Sequence, residues 1–290
     1  MMNNSMLLSI GIAQLQHVFL KAQQWTEQQF HVESLVKELP EHFFDYTAIA
    51  FEAAAMQLAL KALRAQEPLE EWKELTNNKN HPYPLSSYLG LGMALAQARL
   101  DPTPYVTETD PLLGGRIWAG YGYYNNFFRN RAEVDYLNEQ SNTVKKMYWQ
   151  GVGRSCWHKS KGDLEQLEKL LAPFVEKNGA ALWRGIGIAS TYLGIGSTSL
   201  WESLIKMAGK HQVQLGVGAI MVSASIRLTT RNTCHDLLQF WCACSLEEAQ
   251  EMHQKTAAQA MQEAAEEPFL RWLELIEEQL KSTKGRFAPK

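Results

Sequence analysis

The chain has 290 residues, 46% of them hydrophobic and 20% charged, and its 28 basic and 31 acidic side chains leave a net charge of -3. Such a chain can bury a large core, which excludes disorder, and its interspersed charges offer no basic stripe, which argues against nucleic acid as partner. No run reaches the roughly 18 uninterrupted apolar residues of a membrane-spanning helix, and the start carries no basic lead-in or small-residue cleavage site, so a cytoplasmic location is expected.

Strand signals are scarce throughout, and helical runs recur between turn punctuation such as HPYP, DPTP and KSKGD. Residues 6–39 read as a helical pair covering the first repeat. From residue 45 to 233 one phrase recurs, an aromatic or apolar lead-in and then Gly, apolar, Gly. The copies are YLGLGMALA, WAGYGYYNN, WQGVGRSCW, WRGIGIAST and LGVGAIMVS, with first glycines at Gly90, Gly120, Gly151, Gly185 and Gly216. A degenerate copy, FEAAAMQLA, precedes them with Ala53 in the glycine position. A period of this length predicts a helical-hairpin array. The Gly-bearing helices are mostly apolar, while segments such as GDLEQLEKLLAPFVEKN between them carry the charges, so inner helices are expected behind a layer of outer ones.

Glycine inside a helix costs about 1 kcal/mol relative to alanine. Ten of them require a compensating close approach of backbones. At about 100° per residue the two glycines of each copy flatten opposite flanks of one helix, so each inner helix is gripped from both sides. The predicted fold class is all-α, about six helical-hairpin repeats closing into an α/α toroid, with an open α-solenoid as the alternative. Residues 234–280 read as C-terminal capping helices with a charged face and 281–290 as a loose tail. No linker divides the chain, so 1–290 is taken as a single domain.

In a ring, the residue before each first glycine would point to the centre. That column contains Glu52, Gln150 and Arg184, and Arg154 and Tyr123, one turn on from the same positions in their copies, fall near the same face. A buried, unpaired carboxylate is expensive, so Glu52 is expected to be paired or functional. One reading is a Glu52–Arg184 ion pair that only fixes helix register. The other is an acid/base site. A second cluster, GYGYYNNFFRNR, gathers Tyr121, Tyr123, Tyr124, Asn125 and Asn126, suited either to an aromatic core or to an apolar ligand with a few polar groups. Trp118, Trp149 and Trp183 read as packing between helices. Phosphate loops, HExxH helices, nucleophile elbows and the aspartate-rich signatures of terpene cyclases are missing, and no cofactor or metal is expected. Four cysteines make no disulfide framework. Cys242 and Cys244 with His235 and His253 are a zinc alternative whose spacing fits no familiar site.

The phrases FEAAAM (51–56), HPYPLSSYLGLGMALA (81–96), DPLLGGRIWAGYGYYNNFF (110–128), QGVGRSCW (150–157), LWRGIGIAS (182–190) and RLTTRNTCH (227–235) resemble, from about Ile10 to Ala249, the helical proteins encoded beside enediyne polyketide synthases, a domain of unknown function. In that family a His-Glu pair stands where this chain has Tyr124 and Asn125, whereas Glu52 and the Trp183-Arg184 dipeptide are kept. The resemblance implies a polyene or other apolar biosynthetic intermediate as substrate or ligand. Three functions are therefore carried forward. The first is a natural-product cyclase or isomerase in which Glu52 moves a proton, Arg184 tunes it, Tyr124 supplies a hydroxyl, and Tyr121, Tyr123, Asn125, Asn126, Gln150 and Arg154 shape or contact the ligand. The second is a noncatalytic scaffold that docks a biosynthetic partner protein. The third is an isoprenoid cyclase with an atypical site.

Overall fold

The structure is a computed structural model and describes residues 4–28, 47–77, 84–107, 109–194, 196–225, 234–263 and 267–282. Among these there are fourteen α-helices, two short 3-10 helices and no strand. The inner helices of the array are α2 (Thr47–Ala65), α4 (Pro84–Ala98), α6 (Gly115–Arg129), α7 (Asn142–Ser160), α9 (Val175–Leu193) and α11 (Val213–Ser223). Shorter helices lie outside them: α3 (Glu70–Asn77), α5 (Thr103–Thr107), α8 (Leu164–Leu171) and α10 (Thr198–Ala208). Helix α1 (Asn4–Glu27) covers α2 and also touches α9. The chain ends with α12 (Cys234–Cys242), α13 (Leu246–Gln262) and α14 (Pro268–Ser282). Of the expected covering pair, only the part up to residue 28 lies within the described residues, as does only the start of the tail.

Local signals set the helix ends. Ser141, Asp163 and Ser197 accept hydrogen bonds from backbone N–H groups in the first turns of α7, α8 and α10, and Ser245 and Glu248 form a reciprocal capping box at α13. The division into inner and outer helices follows the sequence. Every residue of α11 is buried, whereas α8 buries only Leu167 and Leu171.

The paired glycines act by direct backbone approach, and each has its own neighbour. A Cβ at Gly120 would strike the carbonyl of Leu89 on the preceding helix, and one at Gly122 would strike the carbonyl of Tyr148 on the following helix. The same rule holds at Gly151 and Gly153, which face Ala119 and Leu182, and at Gly185 and Gly187, which face Gln150 and Leu215. Weak Cα–H···O contacts of about 0.5–1 kcal/mol each become available at such crossings. Together with tight packing they offset the low helix propensity of glycine.

This rule corrects the register of the last copy. Gly218, not Gly216, faces the Arg184 carbonyl of the preceding helix, so Gly218 holds the first-glycine position. The second-glycine position is then Ile220, which is fully buried.

Two observations fix how the row of helices is arranged. Thr143 at the start of α7 is hydrogen-bonded to Glu267, Gln214 at the start of α11 to Glu277, and Arg116 at the start of α6 lies over the Trp272 ring. Three inner helices thus present their N-terminal turns to α14 or the residue before it, and therefore run in the same direction. In addition, Glu52 on α2 pairs with Arg154 on α7, three places along the row. At a spacing of about 8 Å per helix a flat layer would hold them too far apart to touch. The row is curved, with these side chains on its inner side.

Candidate functional site

Counting from the first glycine of each copy as zero, the residues on the inner side occupy positions -4, -1, +3 and +7, one stripe at helical spacing. Glu52 and Gln150 sit at -1, as does Arg184. Tyr123 and Arg154 sit at +3, His158 and Tyr192 at +7, and Arg116 at -4. All are buried.

At the centre of the stripe the Glu52 carboxylate receives both ends of the Arg154 guanidinium, Nη1 to Oε1 at 3.0 Å and Nη2 to Oε2 at 2.8 Å. This two-point geometry is the strong form of the ion pair. The two residues are 2% and 4% exposed, so the pair is desolvated. Burial alone pulls Arg154 down, but the charge and hydrogen bonds of Glu52 more than reverse this and the net shift is upward. The Arg154 guanidinium also lies 4.9 Å from the centre of the Tyr123 ring, a cation–π contact. Tyr123 OH and His158 Nδ1 share a hydrogen bond of 2.9 Å. Burial raises the Tyr123 hydroxyl far above its usual range and, with the Arg154 charge, drives His158 down to about 3. At neutral pH this places an uncharged phenol against an uncharged imidazole.

These groups end a cleft of about 170 Å³ between α1, α2, α4, α6 and α7. Leu15, Phe19, Ile49, Met93 and Phe127 line it, and Glu52, Arg154 and Tyr123 are its polar end. Leu20 and Phe128, 57% and 47% exposed, stand at its mouth.

The other residues singled out from sequence fall elsewhere. The partner of Glu52 is Arg154, not Arg184. Both arginines lie on the stripe, and sequence spacing does not encode how far the row bends. Arg184 and Gln150 sit on the inner side away from the cleft lining. Tyr124 is half-buried beside it, its ring tilted 30° against that of Phe128 at 4.9 Å and under the Arg129 guanidinium. Tyr121 packs against Trp118. Asn125 donates to Tyr148 OH and accepts from Arg129, and Asn126 donates to Ser155 Oγ. The asparagines thus join α6 to α7 instead of facing the cleft. All four cysteines are free and buried. Among the described residues no three His, Cys, Asp or Glu side chains gather as a metal set, and His253 stands edge-on to Trp272 at 4.8 Å. His158, Tyr192 and Arg116 were missed by sequence. Extending the -1 column by one turn back and two turns forward would have found them.

Fold and site together define an all-helical protein with an apolar cleft ending in a buried ion pair and a phenol–imidazole pair. Among the described residues no helix is long and apolar enough to cross a membrane. The chain belongs to the family described as "Protein of unknown function (DUF1702)", which it matches over residues 9–280. No curated protein and no solved structure matches it.

Proposed function

We propose that this protein is a cytoplasmic, toroidal helical-repeat enzyme of natural-product biosynthesis that binds an apolar intermediate, such as a polyene, and promotes its cyclisation or isomerisation. The observation that carries the reading is the cleft itself, lined by apolar side chains, with exposed Gln16 the one polar residue of the lining outside its buried end. Its volume of about 170 Å³ is below the roughly 300–1,000 Å³ of pockets that enclose a drug-sized ligand. The cleft therefore takes one end of a long molecule, and the rest extends over Leu20 and Phe128.

The Tyr123 hydroxyl is freer to act on the ligand than Glu52, whose oxygens are held by Arg154. Tyr123 presents a neutral hydroxyl beside the ligand, and its hydrogen bond with His158 Nδ1 fixes the orientation of that hydroxyl. The Glu52–Arg154 pair fixes the electrostatics of the end wall and offers a carboxylate to a developing positive charge. The same two exposed side chains at the mouth favour a second reading, a scaffold on which an apolar surface of a biosynthetic partner docks.

Fluorescence titration with a conjugated polyene fatty acid tests the first reading. Saturable binding by the wild type, weakened at least tenfold by L20D combined with F128D, is the expected result. Binding untouched by that double variant would overturn it. A polyene recovered with the purified protein would supply the substrate, and Y123F should then lower its turnover by about 10²–10⁴, the usual contribution of a general acid or base.

A further inference from the structure

Apart from the cleft, the inner side of the array holds a second group of polar side chains near the end covered by α14. Arg116 and Arg184 are 2% and 4% exposed. Neither guanidinium makes a hydrogen bond or ion pair among the described residues. Arg116 has Nε and Nη2 buried without a partner, and Arg184 has Nε likewise. On α7, the helix between theirs, Gln150 Oε1 is also buried and unpartnered. Arg116 instead meets the face of the Trp272 ring, 5.9 Å from its Cζ.

Among the described residues, the acids that act on these cations or share the stripe are committed elsewhere. Glu52 gives both oxygens to Arg154. Glu277, the acid that acts on Arg184, accepts from Gln214 at 2.7 Å through Oε2 and from Lys281 at 2.6 Å through Oε1. Burial, and the charge each guanidinium meets from another arginine, hold both down at about 10. A guanidinium is not relieved by losing its proton at neutral pH, so the local excess of positive charge stands. Leaving a buried charge uncompensated is strongly destabilising, and a planar, forked donor matches a carboxylate or phosphate.

We infer that Arg116 and Arg184, on either side of Gln150, form a second ligand site that binds an oxyanion, the carboxylate or phosphate group of a metabolite, beneath α14. Two guanidiniums supply charge and directed N–H donors, and the Trp272 face closes one side. The site does not rest on the apolar-ligand reading, and it would stand if the cleft bound no polyene.

The experiment measures thermal unfolding of the full chain at fixed ionic strength in chloride, with acetate or inorganic phosphate titrated in its place. A ligand that binds only the folded state raises the melting temperature. We expect a saturable rise with at least one oxyanion. A response to acetate alone assigns a carboxylate ligand, and a response to phosphate alone a phosphorylated one. Phosphorus NMR line broadening checks phosphate binding directly. R116M and R184M should each abolish the response and, having shed an uncompensated charge, melt no lower than wild type in chloride. L20D combined with F128D should keep the response, which separates this site from the cleft. No response to either oxyanion in the wild type, or an undiminished response in both arginine variants, would overturn the inference.

Discussion

Replacing Arg154 by methionine probes the centre of the structure. Methionine keeps most of the aliphatic stem, so the main change is loss of the guanidinium that holds both oxygens of Glu52 and lies over the Tyr123 ring. The carboxylate, 2% exposed, would be stranded in the protein interior. Removing one partner of a buried pair costs about 3–5 kcal/mol. For 290 residues the entropy of unfolding is roughly 0.6 kcal/mol per degree, so the melting temperature should fall by about 5–8 degrees. Calorimetry measures this directly, and urea titration gives the free energy. The double variant Glu52→Gln with Arg154→Met removes both charges and should recover most of the loss, because a buried pair and its neutral replacement often differ little. A loss below about 1 kcal/mol in R154M, the magnitude of an exposed pair, would refute the desolvated pair and the curvature inferred from it. An equal loss in the single and double variants would show that the cost lies in packing instead of charge.

Other perturbations test separate parts. Gly151→Ala drives a methyl into the Ala119 carbonyl and should cost at least the roughly 1–3 kcal/mol of overpacking, whereas Gly115→Ala meets only the flexible end of Met147 and should change urea stability little. Lys61→Ala, at a pair with both side chains more than half exposed, should alter stability by less than about 1 kcal/mol. His158 and His253 are held down at about 3 and about 4, chiefly by burial, below the unfolded value of about 6.5. The unfolded chain therefore takes up more protons as pH falls, so stability should decline from about pH 6.5 toward pH 3, by up to about 1.4 kcal/mol per pH unit for each histidine. His158→Gln should make that decline shallower in urea titrations run across the range, and an unchanged slope would show that His158 is protonated in the folded protein.

The all-helical class and the inner and outer layers were legible in the sequence because they depend on local composition and on glycine spacing. Gly90 through Gly187 could be placed because their contacts recur once per copy. The last copy misled because Gly216 and Gly218 both satisfy the pattern, and only the contact of Gly218 with the Arg184 carbonyl decides between them. Glu52 was recognisable as the sole charge between Thr47 and Leu60. Its partner was not, because Arg154 and Arg184 share the inner stripe and the choice depends on how the row bends. Asn125 and Asn126 looked like ligand contacts because buried amides beside aromatics suit either role. The nearness of Tyr148 and Ser155 on the next helix assigns them to packing, and that nearness exists only once α6 and α7 are docked.

The two glycines of each unit are directional, one receiving the helix before and the other admitting the helix after. Ile220 occupies the admitting position of the final unit, a branched and fully buried side chain where the middle units have glycine. Glycine is not the only residue that admits a neighbour, since Ala55 holds the same place in the first unit and α4 still crosses there, so a unit duplicated in tandem at this end would have to accommodate a branched side chain where the first unit presents a methyl.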